Sequence, residues 1–458
     1  MTIDRGTSSI RLAADGDEVT TSRGVSVHGI SDPNQRIDTA PRRVVVVGQG
    51  YVGLPVAIRA VEVGFDVVGF DIDKARIDCL RKAETYIDDI TDSDLAIALS
   101  TGRYLPTDNL AALADFDIAV VCVPTPLLDG APDLSYVEDA AAIIAPHLRP
   151  GCCVILESTT YPGTTEEIFT PILEAGSGLR AGAQFCVGYS PERIDPGNEI
   201  WRFHNTPKII AGVDQASLQA LRDFYGRLVE RTVPVSGLRE AELAKLLENT
   251  FRHVNIALVN ELAMYCYGLG LDVWSVIDAA TTKPFGFMKF TPGPGVGGHC
   301  LPIDPLYLSW QARRSLGRAF RFVEIANDVN DHMPDYVVSR VVTYLNQQHK
   351  CVNGSRILLV GLAYKRNSRD TRQSPAIAVA KRLDDLGADL CAIDPLIDVD
   401  EVPSYIRMVP CESRQVAKAD LVIVLADHDA IEWDLFEQHA DRVLDTRNRL
   451  RSRSAARL

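Results

Sequence analysis

The stretch from 42 to 73, RRVVVVGQGYVGLPVAIRAVEVGFDVVGFDID, constrains the fold more than any other part of the chain. Val44 to Val47 form a short, continuous β-branched run, the pattern of a strand buried on both faces of a parallel sheet. Gly48, Gly50 and Gly53 follow in G-x-G-x-x-G spacing, then a helical pattern through Ile58 and Val61, then a second strand that ends at Asp71. Each part has a physical task. The first glycine permits a tight turn, the second lets a pyrophosphate approach the backbone, and the third lets helix and strand pack closely. The helix N-terminus offers free N–H groups to phosphates. Tyr51 and Val52, inside the turn, belong to the same expected cofactor surface. Asp71 stands where a carboxylate accepts from both ribose hydroxyls, which favours NAD over its 2′-phosphorylated relative, a preference that Arg76 blurs. A bare glycine turn without a ligand would lack the ordered sequence of strand, turn, helix and terminal acid.

Strand signals continue at DFDIAVVCVPTP, CCVILESTT and FCVGYSPERIDPGN. The pattern then changes. From Leu238 to about Tyr267 runs LREAELAKLLENTFRHVNIALVNELAMYCYG, periodic and free of proline, which predicts one long helix. Near Arg356 the first pattern returns: RILLVGLAY answers RRVVVVGQG, LGADLCAIDP answers VGFDVVGFDID, KADLVIVLADHD answers DFDIAVVCVPTP, and DRVLDTRN completes the series. In the second copy Gly361 is followed by Leu and Ala, so the dinucleotide spacing is missing. The predicted architecture is α/β, with two doubly wound Rossmann-like domains joined by a central helical region containing one long helix. The expected boundaries are a polar, disordered tail over 1–40, a cofactor domain over 41–236, a central helical region over 237–345, and a second α/β domain over 346–458.

Composition narrows the function classes. With 458 residues, 47 basic against 61 acidic and a net charge of −14, the chain is too long for one core and has no general attraction for nucleic acid or anionic lipid. Any anionic ligand needs a local site. Ten cysteines without a CxxC pair suit a reducing cytoplasm rather than a disulfide scaffold. No apolar run reaches the roughly 18 to 20 residues that cross a bilayer, and the start has no signal-peptide core.

Two features suggest chemistry. On the long helix, Lys245, Asn249 and Arg252 or His253 fall at i, i+4 and i+7 or i+8, on one face, while the other faces are thick with apolar residues. A polar stripe on a helix buried on most sides needs partners. The second is GPGVGGHCLPIDP, residues 293 to 305, in which glycines at 293, 295, 297 and 298 let a substrate approach the backbone next to Cys300. A thiol is a strong nucleophile when ionised, and exposed backbone N–H groups help ionise it. His299 beside Cys300 has no second ligand pair at usable spacing, so no metal is expected.

With GPGVGGHCLPIDP, AELAKLLENTF, GYSPERIDPGN, ESTTYPGTT and GLAYKRNSRDTRQSP together, residues 41 to 450 resemble the UDP-glucose/GDP-mannose dehydrogenases. These are NAD-dependent four-electron oxidoreductases that convert a nucleotide sugar's C6 alcohol to a carboxylate. GGHC with ESTTYPGTT and SPERIDPGN is most similar to the branch acting on UDP-N-acetylhexosamines, UDP-N-acetylglucosamine in particular. The resemblance implies Cys300 as nucleophile, Lys245 and Asn249 as oxyanion stabilisers, and Asp304 with Thr125 in proton handling. It implies Glu192 as an active-site glutamate, Gly297, Lys365, Arg447 and Arg321 as substrate contacts, and Arg372 as a cofactor contact. Glu157 lies in a motif next to the cofactor. It also implies a UDP-sugar held by the C-terminal domain, a homodimer or higher homo-oligomer built through the helical middle, and service to surface polysaccharide synthesis.

The proposed chemistry uses these groups together. A base and a cation serve the first oxidation to an aldehyde, the Cys300 thiolate captures it as a thiohemiacetal, a second oxidation leaves a thioester, and water releases the acid. Two other readings compete. A two-electron β-hydroxyacid dehydrogenase shares the cofactor domain, long helix and lysine, but has no use for Cys300 or the second α/β domain. A non-catalytic NAD-binding regulator would be indifferent to the whole set. UDP-glucose and UDP-N-acetylmannosamine are alternative substrates for the same mechanism.

Overall fold

The computed structural model describes residues 42–458 apart from 88, 196, 197, 199, 299 and 300. The expected tail over 1–40, and Cys300 with His299, therefore lie outside the described residues.

The first half is built on β1 (Arg43–Val47), β2 (Asp66–Phe70), β3 (Tyr104–Thr107), β4 (Ile118–Val121), β7 (Cys153–Leu156), β8 (Cys186–Tyr189), β9 (Lys208–Gly212) and β10 (Thr232–Pro234), with a small hairpin of β5 (Leu127–Leu128) and β6 (Ala131–Pro132). The main sheet runs β10-β9-β8-β7-β4-β1-β2-β3. Its pairs are parallel except β8 with β9. The β-branched run of β1 pairs with β2 on one side and β4 on the other, Val44 opposite Val67 and Ile118. Strand alternation sends Val44 and Val46 to one face, against Leu54 and Ile58 of helix Gly53–Glu62. Val45 and Val47 go to the other, against Val137 and Ile144. This two-faced burial is the reason the run carries no polar residue.

The middle holds helix Leu238–Gly268, 31 residues long, packed against helix Arg321–Gln347 of 27 residues. One expectation needs correction here. The long helix is not buried on most sides: Leu243, Leu247, Phe251 and Leu258 are exposed, Leu247 by 62%. None of the described residues covers that apolar face, and periodicity alone does not reveal what does.

The second α/β unit comprises β11 (Arg356–Val360), β12 (Asp389–Ile393), β13 (Arg407–Met408), β14 (Leu421–Val424), β15 (Val443–Asp445) and β16 (Ala456–Arg457), in the order β13-β12-β11-β14-β15-β16, all parallel. Both ends of the chain are thus Rossmann-like and the region between them is helical, as the pattern predicts. The repetition extends to single hydrogen bonds. Gly48 N–H donates to Phe70 O at 2.8 Å and Gly361 N–H to Ile393 O at 2.9 Å. Asp71 accepts from Gln49 N and Asp73 N at 2.8 and 2.9 Å, and Asp394 accepts from Leu362 N and Leu396 N at 2.7 and 2.9 Å. The copies differ in what covers the acid. His428 Nδ1 accepts from Asn367 N, so its Nε2 carries the proton and donates to Asp394 at 3.1 Å, with both side chains fully buried. The second acid is therefore closed to a ribose.

Candidate active site

The cofactor turn sits at the carboxyl end of β1, where strand order diverges between β1–β2 and β1–β4, the usual crevice for ligands in such sheets. Gly48 has φ +88°, and a Cβ there would lie 2.5 Å from Cys122 O. A Cβ on Gly53 would lie 1.8 Å from Gly48 O, so both glycines are fixed by the protein's own packing. Gly50 differs, since nothing lies within 4 Å of its Cβ position. Val52 offers no side-chain cap to the helix behind the turn, and no acid stands in its first turn. Open space over Gly50, an uncapped helix N-terminus and Asp71 at the end of β2 together fit a dinucleotide's pyrophosphate and ribose. Arg76 Nη1 stands 3.4 Å from Asp71 Oδ2. Across the turn, Arg372 of the second α/β unit holds its guanidinium 5.6 Å from the Tyr51 ring centroid and is clamped by Asp370. Gly50→Ala is expected to leave thermal stability near wild type yet weaken NAD binding at least about tenfold by occupying that space, whereas Gly53→Ala should destabilise the fold itself. Melting curves and NAD titrations of the two variants check this.

The polar stripe of the long helix finds its partners. Lys245 and Asp304 are buried, and Asn249 Nδ2 donates to Asp304 Oδ2 at 2.6 Å. Burial pushes the Asp304 carboxyl up to about 6, against the opposing pull of the Lys245 ammonium and the Asn249 hydrogen bond. An acid that changes charge near neutral pH beside an ammonium suits proton transfer from an alcohol whose oxygen the cation stabilises. Asp304 opens helix Asp304–Leu316, and Tyr307, three residues on and on the same face, donates its hydroxyl to the carbonyl of buried Thr125. One short helix thus carries Asp304 to the long helix and ties down the loop after β4. Of the two candidates one turn further along, Arg252 is exposed and His253 is buried.

His253 serves the glycine-rich loop instead. Asn330 Nδ2 donates to the His253 carbonyl at 3.3 Å, Asn260 Nδ2 to Asn330 Oδ1 at 2.9 Å, and Gly293 N to Asn260 Oδ1 at 2.9 Å. The loop's other side meets the second α/β unit. A Cβ on Gly297 would lie 2.6 Å from Gln373 O, Gly298 N donates to Arg372 O, and the Arg447 Nη1 lies 2.5 Å from the Cβ position of Gly293. Arg447 Nε donates to Leu425 O. The segment leading to Cys300 is therefore held between the central helices and the C-terminal unit. Lys365 Nζ pairs with Asp195 Oδ1 at 2.7 Å. Burial works to raise the Asp195 carboxyl, but Lys365 more than offsets it and holds it below the usual carboxylate range. Arg321 stands exposed at the start of its helix, and among the described residues no hydrogen bond or ion pair joins it to the Lys245 cluster.

Glu192 is held by donors from its own turn and from β9. Its Oε1 accepts from the backbone N–H groups of Arg193 and Ile194, both at 2.5 Å, and its Oε2 from Lys208 at 3.0 Å. Lys208 also donates to Glu157 Oε2 at 3.2 Å, while the Tyr225 hydroxyl donates to Glu157 Oε1. Neither Lys208 nor Tyr225 stands out in the sequence; the one available signal was a lysine opening the apolar run KIIAG. Glu242 was missed as well. It is fully buried on the long helix and accepts from Gly163 N, Thr165 N and Thr165 Oγ1 at 2.6, 2.9 and 2.6 Å, and burial pushes its carboxyl up to about 7. It ties the ESTTYPGTT loop to the helix that carries Lys245.

Comparison with known proteins agrees with this arrangement. Three models of the UDP-glucose/GDP-mannose dehydrogenase family match in order: the NAD binding domain over 42–229, the central domain over 239–332 and the UDP binding domain over 358–452. A UDP-N-acetyl-D-glucosamine 6-dehydrogenase of Pseudomonas aeruginosa is 37% identical over 390 residues, 84% of this chain and 90% of that protein. A UDP-N-acetyl-D-mannosamine dehydrogenase of Pyrococcus horikoshii is 34% identical over 397 residues, 86% and 91%. A solved structure of a UDP-D-ManNAc dehydrogenase from Pyrococcus horikoshii superposes with a TM-score of 0.80 at 33% identity, covering 89% of this chain and 95% of that one. The chain belongs to the UDP-glucose/GDP-mannose dehydrogenase family and is an NAD-dependent nucleotide-sugar dehydrogenase.

Proposed function

We propose that the protein oxidises the C6 alcohol of a UDP-N-acetylhexosamine, UDP-N-acetylglucosamine foremost, to the uronic acid, a precursor of surface polysaccharide. The observation that carries this reading is the cluster of buried Lys245 and Asp304, with Asn249 of the long helix hydrogen-bonded to Asp304, which lies four residues after Cys300 in the sequence. Bound NAD supplies the hydride acceptor. Gly48, Gly50, Tyr51, Val52, Gly53, Asp71 and Arg76, with Thr125 and Arg372, form its expected surface. Lys365, Arg447 and Gly297 face the nucleotide sugar, and Arg321 stays a substrate contact only as the family resemblance implies.

In this mechanism Lys245 stabilises the oxygen that becomes an alkoxide and Asp304 takes its proton. The Cys300 thiolate attacks the resulting aldehyde carbon, forming a C–S bond and a tetrahedral oxyanion beside Lys245 and Asn249. After the second oxidation, by a second NAD, the carbon is a thioester; Asp304, its first proton released to solvent, deprotonates the water that displaces the Cys300 thiolate to give the carboxylate. A panel of UDP-sugars tests the substrate assignment: kcat/KM should be highest for UDP-N-acetylglucosamine, and a clear preference for UDP-glucose or UDP-N-acetylmannosamine would overturn that part. The second reading, a two-electron dehydrogenase, has no role for the second α/β unit.

The exposed apolar face of the long helix, with Phe322 and Ile325 exposed on helix Arg321–Gln347, supports a homodimer through the helical middle. Sedimentation should give twice the chain mass at micromolar concentration, and Leu247→Glu should shift it toward monomer. Wild type sedimenting as a monomer would contradict the assignment. The described cysteines are all free thiols, and no described helix is long and apolar enough to cross a membrane, which supports a cytoplasmic setting.

A further inference from the structure

Beneath the site lies a charged cluster that the mechanism above does not use. Lys208, at the start of β9, has a side chain 3% exposed, an uncommon place for an ammonium. A lone buried ammonium is strongly disfavoured, so its partners decide what it does. Two carboxylates face it from neighbouring strands: Glu157 at the end of β7 and Glu192 just beyond β8. The other groups around the cluster are the Tyr225 hydroxyl from helix Gln215–Leu228, the Cys122 thiol 3.9 Å from Glu157 Oε2, and the Phe203 and Tyr225 rings, 5.2 and 5.4 Å from the ammonium. The antiparallel return of β9 beside β8 is what places a lysine under the Ser190–Ile194 turn.

We propose that Lys208 is the positioning residue of Glu192, its ammonium braced on Glu157 so that the glutamate of the SPER turn is held in one place. This rests on the reading that Glu192 acts at the substrate. Three donors, the N–H groups of Arg193 and Ile194 and the Lys208 ammonium, fix both oxygens of Glu192. The two backbone donors move with the turn itself, whereas Lys208 is anchored in the sheet, so among the described residues Lys208 alone ties the carboxylate to the rigid part of the fold. Glu157, held in turn by Tyr225, makes that anchor stiff. Without the ammonium, two buried carboxylates would face each other and one would take up a proton, since like charges at such range are not both kept.

The test is a set of initial-rate measurements with UDP-N-acetylglucosamine and NAD on the full chain. Lys208→Met should lower kcat by about 10²-fold, as expected for a displaced active-site group, with KM for NAD within twofold of wild type. Lys208→Arg, which keeps the cation, should restore most of the rate. Lys208→Met/Glu157→Gln removes one carboxylate along with the ammonium; its melting temperature should recover while kcat stays low, and this variant is read if the single one does not fold. Recovery of kcat together with stability would make Lys208 merely structural and overturn the proposal. Adding Glu192→Gln to Lys208→Met should cost no further rate; additive losses would also overturn it. Unchanged kcat in Glu192→Gln alone would instead sink the parent reading of Glu192.

Discussion

Cys300→Ser is expected to fold normally, bind NAD with unchanged affinity and form uronic acid at least about 10³-fold more slowly than wild type, the scale seen when a covalent nucleophile is removed. The reasoning is chemical. A single pocket withdraws two hydrides from one carbon only if the aldehyde is converted, between the two steps, into a form that again carries a hydride on a carbon bearing an oxyanion. A thiolate does this and leaves a reactive thioester, whereas an alkoxide is a poor leaving group and serine is hardly ionised at neutral pH. The loop from Gly293 to Gly298, which precedes Cys300 in the sequence, is pinned by Asn260, Gln373 and Arg372, and in the proposed mechanism it supports the nucleophile. Product analysis by mass spectrometry checks the result, and acid formation at the wild-type rate would remove covalent catalysis from the account.

Lys245→Met has the second-largest expected effect, a fall in kcat of about 10² to 10³-fold, the cost of losing one preorganised donor to a developing oxyanion. It also carries a pH signature whose sign follows from the site. In the proposed mechanism Asp304 acts as a carboxylate, so activity is expected above its pKa and should be lost as pH falls through about 6. The Lys245 ammonium lowers that value against the larger effect of burial. Removing it should therefore move the acid limb of the rate profile to higher pH, while Asp304→Asn should abolish the limb with most of the activity. A Lys245→Met profile with an unmoved limb would separate the two groups and undo the proposed pair.

What the sequence revealed, and what it hid, follows from range. The glycine turn and Asp71 lie within one βαβ unit, so each has a local signature, and the hydrogen bonds of Gly48 and Asp71 match it. Lys245 and Asn249 are one turn apart on a helix and share a face by geometry alone. Asp304, by contrast, was assigned from family resemblance; its bond to Asn249 spans 55 residues and has no periodicity behind it. Lys208 joins Glu157 and Glu192 across 51 and 16 residues because β9 returns antiparallel, a choice of topology that strand patterns do not encode. Glu242 reaches Gly163 across 79 residues for a similar reason. The apolar face through Leu243, Leu247 and Phe251 misleads in another way, because an exposed apolar face and one buried in a core read alike in the sequence.

The central claim is that one site performs both oxidations before releasing its product. Counting NADH formed against UDP-N-acetylglucosamine consumed, at limiting sugar and without added aldehyde traps, tests it most directly. The account predicts two NADH for each sugar with the uronic acid as sole product. One NADH for each sugar, with free aldehyde in solution, would contradict it.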